Sequence, residues 1–149
     1  TSTQKDIAFQ LCIFDATTYP TALSQYQNQV ENVVMRQCTH IGSNMDLRDD
    51  MSYWSASGVV FYGCIFRGFE ATGSGGNLPT GCTASNCHFA SGSSWNQSNA
   101  STGASGLGSD YRPTAGSAVL DGCTTKFPFD YYLNRWTGTV AKGACKEVS

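Results

Sequence analysis

The sequence predicts an all-β fold: a right-handed, single-stranded parallel β-helix of about four to five coils, ending in a C-terminal closing segment. Three observations predict it. A short apolar–cysteine pattern recurs at a period of roughly 25 residues. Inside each copy the apolar residues alternate as they do in strands. Between copies the chain is rich in Gly, Ser, Thr and Asn and poor in charge.

The copies are IAFQLCIF (Ile7–Phe14), VVMRQCTH (Val33–His40), VVFYGCIF (Val59–Phe66), CTASNCHF (Cys82–Phe89) and a weaker AVLDGCTT (Ala118–Thr125). Positions one and three are apolar in the first three: Ile7 and Phe9, Val33 and Met35, Val59 and Phe61. After a two-residue break comes Cys, then Phe or His two places on. A strand, a sharp bend and a second short strand would turn positions one, three, six and eight inward. Such a unit buries its apolar side only by stacking on its neighbours. The leucine-rich repeat has a similar period, but its leucine spacing and helical half are absent. One domain spans residues 1–149, with Lys126–Ser149 as the closing segment.

Cys12, Cys38, Cys64 and Cys87 lie 26, 26 and 23 residues apart, and Cys123 follows after 36. Stacked once per coil, these five form an inward ladder of small apolar thiols. Adjacent coils about 4.8 Å apart hold such side chains parallel, which is poor disulfide geometry. Cys82 also reads as core, and Cys145 as the free or intermolecular thiol. CTASNC has no second matching pair and is a weak metal signal. No metal site and no cofactor is predicted.

Charged residues make up 13% of the chain and the net charge is −2, which lacks the basic footprint of a nucleic-acid binder. No apolar run approaches the roughly 18 residues of a membrane span. TSTQKD at the start shows no signal-peptide pattern. The expected setting is a virion surface or the extracellular space, with neither nucleic acid nor membrane as partner.

The remaining chemistry lies in turns. Asp46, Asp49 and Asp50, with Arg48 among them, form a weak acidic cluster within one turn, read as a solvated turn; no catalytic residue is assigned. Asp15 and Glu70 follow coil motifs and could share the outer face. His40 takes an inward aromatic position and reads as a core histidine. His88 points outward, and two coils separate the pair, so they make no dyad. Tyr53, Trp54 and Trp95 lie in loops and are the candidates for stacking on sugar faces. The long Ser91–Asp110 loop carries two glycosylation patterns, at Asn96 and Asn99. Phe127, Phe129, Tyr131, Tyr132 and Trp136 are expected to cap the open end of the stack. The opposite end has no such cap, since six polar residues precede Ile7. A bare coil end exposes backbone and apolar side chains. Either further coils or another subunit would cover it: a homo-oligomer, with a trimer the expected form, or other virion or surface subunits.

The segment DYRPTAGSAVLDG (Asp110–Gly122) resembles the closing coil of right-handed β-helix proteins of the pectin-lyase-like superfamily. There D-Y-R-L followed by G-S-P-A-I-D-A-G marks the last coils. Asp110, Tyr111, Arg112, Gly116, Ser117, Leu120, Asp121 and Gly122 match by position or type. FDYYLNR (Phe129–Arg135) is similar to the family's D-x-x-G-N-x-R, and KGACKE (Lys142–Glu147) to its I-G-A-Y-E. Three departures stand out. Ala118 replaces a proline, no glycine precedes Asn134, and Cys145 replaces an aromatic. The resemblance implies the fold and leaves activity open, because lyases, hydrolases, adhesins and viral tail proteins share it. The reading preferred is a non-enzymatic structural or surface-binding module, of the phage or virion surface, serving assembly or attachment to a host glycan or surface polysaccharide. The alternative is the C-terminal coils of a secreted polysaccharide lyase or glycoside hydrolase, whose chemistry needs a base beside a carboxylate cluster or paired carboxylates.

Overall fold

The computed structural model describes residues 3–15, 21–24, 29–41, 44–46, 55–67, 71–72, 81–89, 99–120, 122–124, 127–138 and 140–147. Among these residues the protein is all-β, with no helix, and its strands form three parallel sheets. Sheet A contains β1 (Thr3–Gln10), β4 (Gln29–Arg36), β8 (Val60–Tyr62) and β11 (Thr83–Ser85) in that order, with β7 (Ser55–Ser57) pairing the first half of β4. Sheet B runs β2 (Ile13–Asp15), β5 (Thr39–Ile41), β9 (Ile65–Arg67), β12 (His88–Phe89), β13 (Ser101–Thr102). Sheet C runs β3 (Thr21–Ser24), β6 (Asn44–Asp46), β10 (Ala71–Thr72).

The register repeats the spacing of the cysteines. Paired residues are 26 apart from β1 through β4 to β8, and 23 apart from β8 to β11. Phe9, Met35, Phe61 and Ala84 therefore face one another across sheet A. Phe14, His40, Phe66 and Phe89 do the same across sheet B.

The two-residue break between sheets A and B is a left-handed bend. Leu11, Gln37, Gly63 and Asn86 hold φ of 53°, 48°, 63° and 54°. This region is unfavourable for residues with a Cβ, so the neighbouring strands must hold it in place. The bend's backbone N–H groups do so: Leu11 donates to Arg36 O, Gln37 to Tyr62 O and Gly63 to Ser85 O, at 3.1, 2.8 and 3.0 Å. One residue later the cysteine carbonyls accept from the next strand: Thr39 N to Cys12 O, Ile65 N to Cys38 O, His88 N to Cys64 O.

Inward side chains fill the space between sheets. Val33, Met35, Cys38, Val59, Phe61, Cys64, Phe66, Ala84, Cys87 and Phe89 form one buried cluster. Ile7, Phe9, Cys12, Phe14 and Cys82 pack against it but are only partly buried. Each fully buried Phe contributes about 2–3 kcal/mol. The rings of Phe14, His40, Phe66 and Phe89 stack face to face, with successive centroids 4.7, 5.0 and 4.9 Å apart.

Two expectations need correction. The copy at Ala118–Thr125 adds no strand among the described residues: the one after β12 is β13, whose Ser101 pairs with His88 and lies 23 residues before Thr124, the equivalent position in the weak motif. Ser101 and Thr102 lie within the Ser91–Asp110 stretch read as a loop. Cys123 accordingly stands outside the inward cluster. It forms an antiparallel bridge with Val140, and its thiol points to Asn86 O at 3.8 Å. A Cβ on Gly63 would meet the Cys123 Sγ at 2.6 Å, so this thiol sits over the bare backbone of the bend.

The closing segment also lies elsewhere than expected. Its described residues Lys142–Ala144 run along the flank of sheet B. Lys142 Nζ donates to Ser101 Oγ, Gly143 N to Gly63 O and Ala144 N to Thr39 Oγ1. The strap thus passes from β13 back towards β5 over the outward column Ser101, His88, Ile65, Thr39, all but Ser101 fully buried. Gly143 touches this face so closely that a Cβ would lie 2.5 Å from Ile65 Cδ1 and 2.6 Å from Thr39 Oγ1.

Candidate functional site

Three places gather chemistry: the clasp beneath the strap, the loop that ends it, and a depression on sheet A. A fourth feature is the end shared by the three sheets, where β1, β2 and β3 are outermost.

His88 anchors the clasp. Its Nε2 lies 2.9 Å from Gly103 O, which can only accept, so Nε2 carries the proton. Nδ1 then accepts from Ser101 Oγ at 2.9 Å, and Lys142 Nζ donates to the same oxygen at 2.6 Å. A hydroxyl between an imidazole and an ammonium has the outline of an activated nucleophile. Here His88 and Lys142 are both buried, and the ammonium covers the oxygen that a substrate would need to approach. The arrangement satisfies a buried lysine and ties the strap down. Burial pushes the His88 pKa down, the Lys142 charge adds to this, and the Gly103 hydrogen bond opposes it. The outward direction of His88 was readable from its strand; the lid over it was not.

The loop at Phe129–Arg135 is built around one carboxylate. Asp130 accepts from Tyr132 N (3.0 Å), Asn134 N (2.7 Å), Asn134 Nδ2 (3.2 Å) and Lys146 N (2.9 Å). Leu133 sits where the resembling motif has glycine, and its φ is +64°. It is 78% exposed, beside the exposed rings of Phe129, Tyr131 and Tyr132. Arg112 lies over the Tyr132 ring at 4.5 Å, and Tyr132 donates to Asp110 O. Tyr111 donates to Asp15 at the end of edge strand β2. Of the aromatic group expected to cap the stack, Phe129, Tyr131 and Tyr132 are exposed at this loop, whereas Phe127 and Trp136 are half-buried. Cys145, expected as a free or intermolecular thiol, is a free thiol buried in this segment. Burial, with the Asp130 charge adding to it, pushes its pKa up to about 12.

On the outward side of sheet A, Arg36, Gln37, Tyr62, Thr124 and Phe127 line a depression of about 150 Å3. Tyr62 OH shares a hydrogen with Thr124 Oγ1 at 2.9 Å and accepts from Thr124 N and Asn86 Nδ2. The Gln37 amide nitrogen is buried without a hydrogen-bond partner.

The inward thiols point to carbonyls. Cys64 donates to Met35 O at 3.4 Å and Cys38 to Phe9 O at 3.5 Å. All seven cysteines are free thiols. Burial pushes Cys64 well above the usual thiol range and raises Cys12. His40 is wholly enclosed with neither ring nitrogen bonded, and burial lowers its pKa to about 3.

At one end of the stack β1, β2 and β3 are each the outermost strand of their sheet. There Ile7, Phe9, Cys12 and Phe14 stay partly exposed, whereas the partners of the first two and last two, Val33, Met35, Cys38 and His40, are buried.

Of the residues singled out in the sequence, Tyr53, Trp54, Trp95, Asp49, Asp50, Glu70 and Asn96 lie outside the described residues. Asp46 ends β6. Among the described residues no three His, Cys, Asp or Glu side chains gather as metal ligands, and no helix is long and apolar enough to cross a membrane. No protein-family model, curated protein or solved structure matches this chain.

Proposed function

We propose that this chain is a right-handed, single-stranded parallel β-helix serving as a non-enzymatic structural module at a virion or extracellular surface, where its bare end docks onto another β-coil. Three sheets of constant strand order and a register equal to the cysteine spacing support the coil reading. The observation that carries the function is the end at β1, β2 and β3, with its four half-covered core side chains. Edge strands of this kind are templates for pairing unless something blocks them. A parallel strand added there would continue the columns Ile7–Val33 and Phe9–Met35. Low charge and a Ser-, Gly-, Thr- and Asn-rich surface suit a virion or secreted setting.

Light scattering after size exclusion tests this. The wild-type chain should elute larger than a monomer and grow with concentration, as end-to-end association requires. Ile7→Lys places an ammonium at the half-exposed end, where it reaches water without unfolding the coil and opposes stacking. That variant should be a folded monomer. A wild-type chain that stays monomeric and monodisperse at high concentration sinks the proposal.

A further inference from the structure

We propose that the depression lined by Arg36, Gln37, Tyr62, Thr124 and Phe127 binds a six-membered ring bearing a carboxylate. Its volume of about 150 Å3 is the first reason; a cavity of roughly that size holds one benzene-sized ring. Tyr62 and Phe127 supply apolar faces for such a ring. The Tyr62 hydroxyl is already saturated by Thr124 and Asn86, so it fixes the wall and leaves recognition to other groups.

Those groups are Arg36 and Gln37. The Arg36 guanidinium lies 5.7 Å from the Tyr62 ring centroid and makes no ion pair among the described residues. The Gln37 amide nitrogen beside it is buried and unbonded. A buried donor without an acceptor destabilises the empty state. Gln37 lines the depression, so its amide nitrogen is a donor that a ligand there can satisfy. A planar carboxylate then accepts from the guanidinium fork and the amide together. A neutral ring would leave both donors unmet. Sulfate would meet the charge but leave the aromatic walls bare. This site is independent of the end-on docking proposed above.

The full chain is titrated with benzoate, glucuronate, benzyl alcohol and sulfate, followed by NMR shifts. Saturable binding of benzoate or glucuronate, at least roughly tenfold tighter than of benzyl alcohol or sulfate, is the expected result. Benzoate alone would identify an aromatic acid as the ligand type, and glucuronate alone an acidic sugar. Arg36→Gln should weaken binding by roughly 10- to 100-fold and leave the melting temperature in place. Gln37→Leu should weaken binding and raise the melting temperature, because Leu11 already adopts the same backbone conformation one coil away. Absence of saturable binding to either acid, or wild-type binding by both variants, overturns the proposal.

Discussion

His40 makes the stability of this protein acid-sensitive by an amount that can be worked out. Its imidazole is sandwiched between Phe14 and Phe66 and has no hydrogen-bond partner. Burial lowers its pKa from 6.5 to about 3. The folded state therefore holds it neutral, while the unfolded chain takes up a proton below its own pKa. Stability is complete above pH 6.5 and falls as the pH drops from there towards 3. Each pH unit in that window costs about 1.4 kcal/mol, and the whole shift about 5 kcal/mol. At pH 4.5 the loss is about 3 kcal/mol.

His40→Phe completes the ring stack and removes the titration. Urea unfolding of both proteins at pH 7 and pH 4.5 gives the comparison. The wild-type chain should lose about 3 kcal/mol more than the variant on acidification. All other groups are common to both proteins and cancel in the difference. The offset at pH 7 is not diagnostic, since removing unpaired nitrogens helps by about 1–3 kcal/mol and the larger ring can cost as much. Equal losses on acidification would show that His40 is not held neutral in the core, and the reasoning would fail.

Three more tests address the strap and the thiols. Gly143→Ala forces a Cβ into Ile65 and Thr39 at a φ of +82°; denaturant midpoints should show a loss of about 2–4 kcal/mol, from overpacking plus left-handed strain. Leu133→Gly relieves that strain at about 1–2 kcal/mol and gives back about 0.5–1 in chain entropy, so calorimetry should show a small gain where Leu133→Ala shows none. Cys64 and Cys145, buried and with raised pKa, should resist a thiol reagent in the native protein and react on unfolding.

The inward columns were legible because parallel strands paired in a constant register, each buried on one side, impose a period on the sequence. Ile7, Val33 and Val59, then Cys12, Cys38 and Cys64, announce their own register. The bend was legible as a break in alternation, although its left-handed geometry was not. Asn86 and Gly63 suit it, whereas Leu11 and Gln37 give no hint. Legibility ended where contacts stop being periodic. Ser101 and Thr102 form a strand in polar, low-complexity text because His88 and Phe89 offer them a template. Cys123 imitated the motif by composition alone. The strap's packing depends on the absence of a side chain at Gly143, which no apolar pattern reports. The clasp of His88, Ser101 and Lys142 joins residues far apart in the sequence, and the depression joins Arg36 to Thr124.

The placement of the strap restricts how such modules could associate. Sheet B cannot serve as a lateral interface in this conformation, because Thr39, Ile65 and His88 are already buried beneath Lys142, Gly143 and Ala144. Two surfaces are left with unmet demands. One is the end proposed above as the docking site, where β1, β2 and β3 are edge strands and core residues are only half covered. The other is the outward side of sheet A, where Arg36 makes no ion pair among the described residues and the Gln37 amide nitrogen lacks an acceptor. The two differ in chemistry, and salt separates them. End docking rests on apolar burial and backbone pairing, so it should persist or strengthen as salt rises. Ligand binding at Arg36 rests on a partly exposed charge, so it should weaken. Association and ligand binding that moved together with ionic strength would mean that one surface does both jobs, and the division argued from these side chains would be wrong.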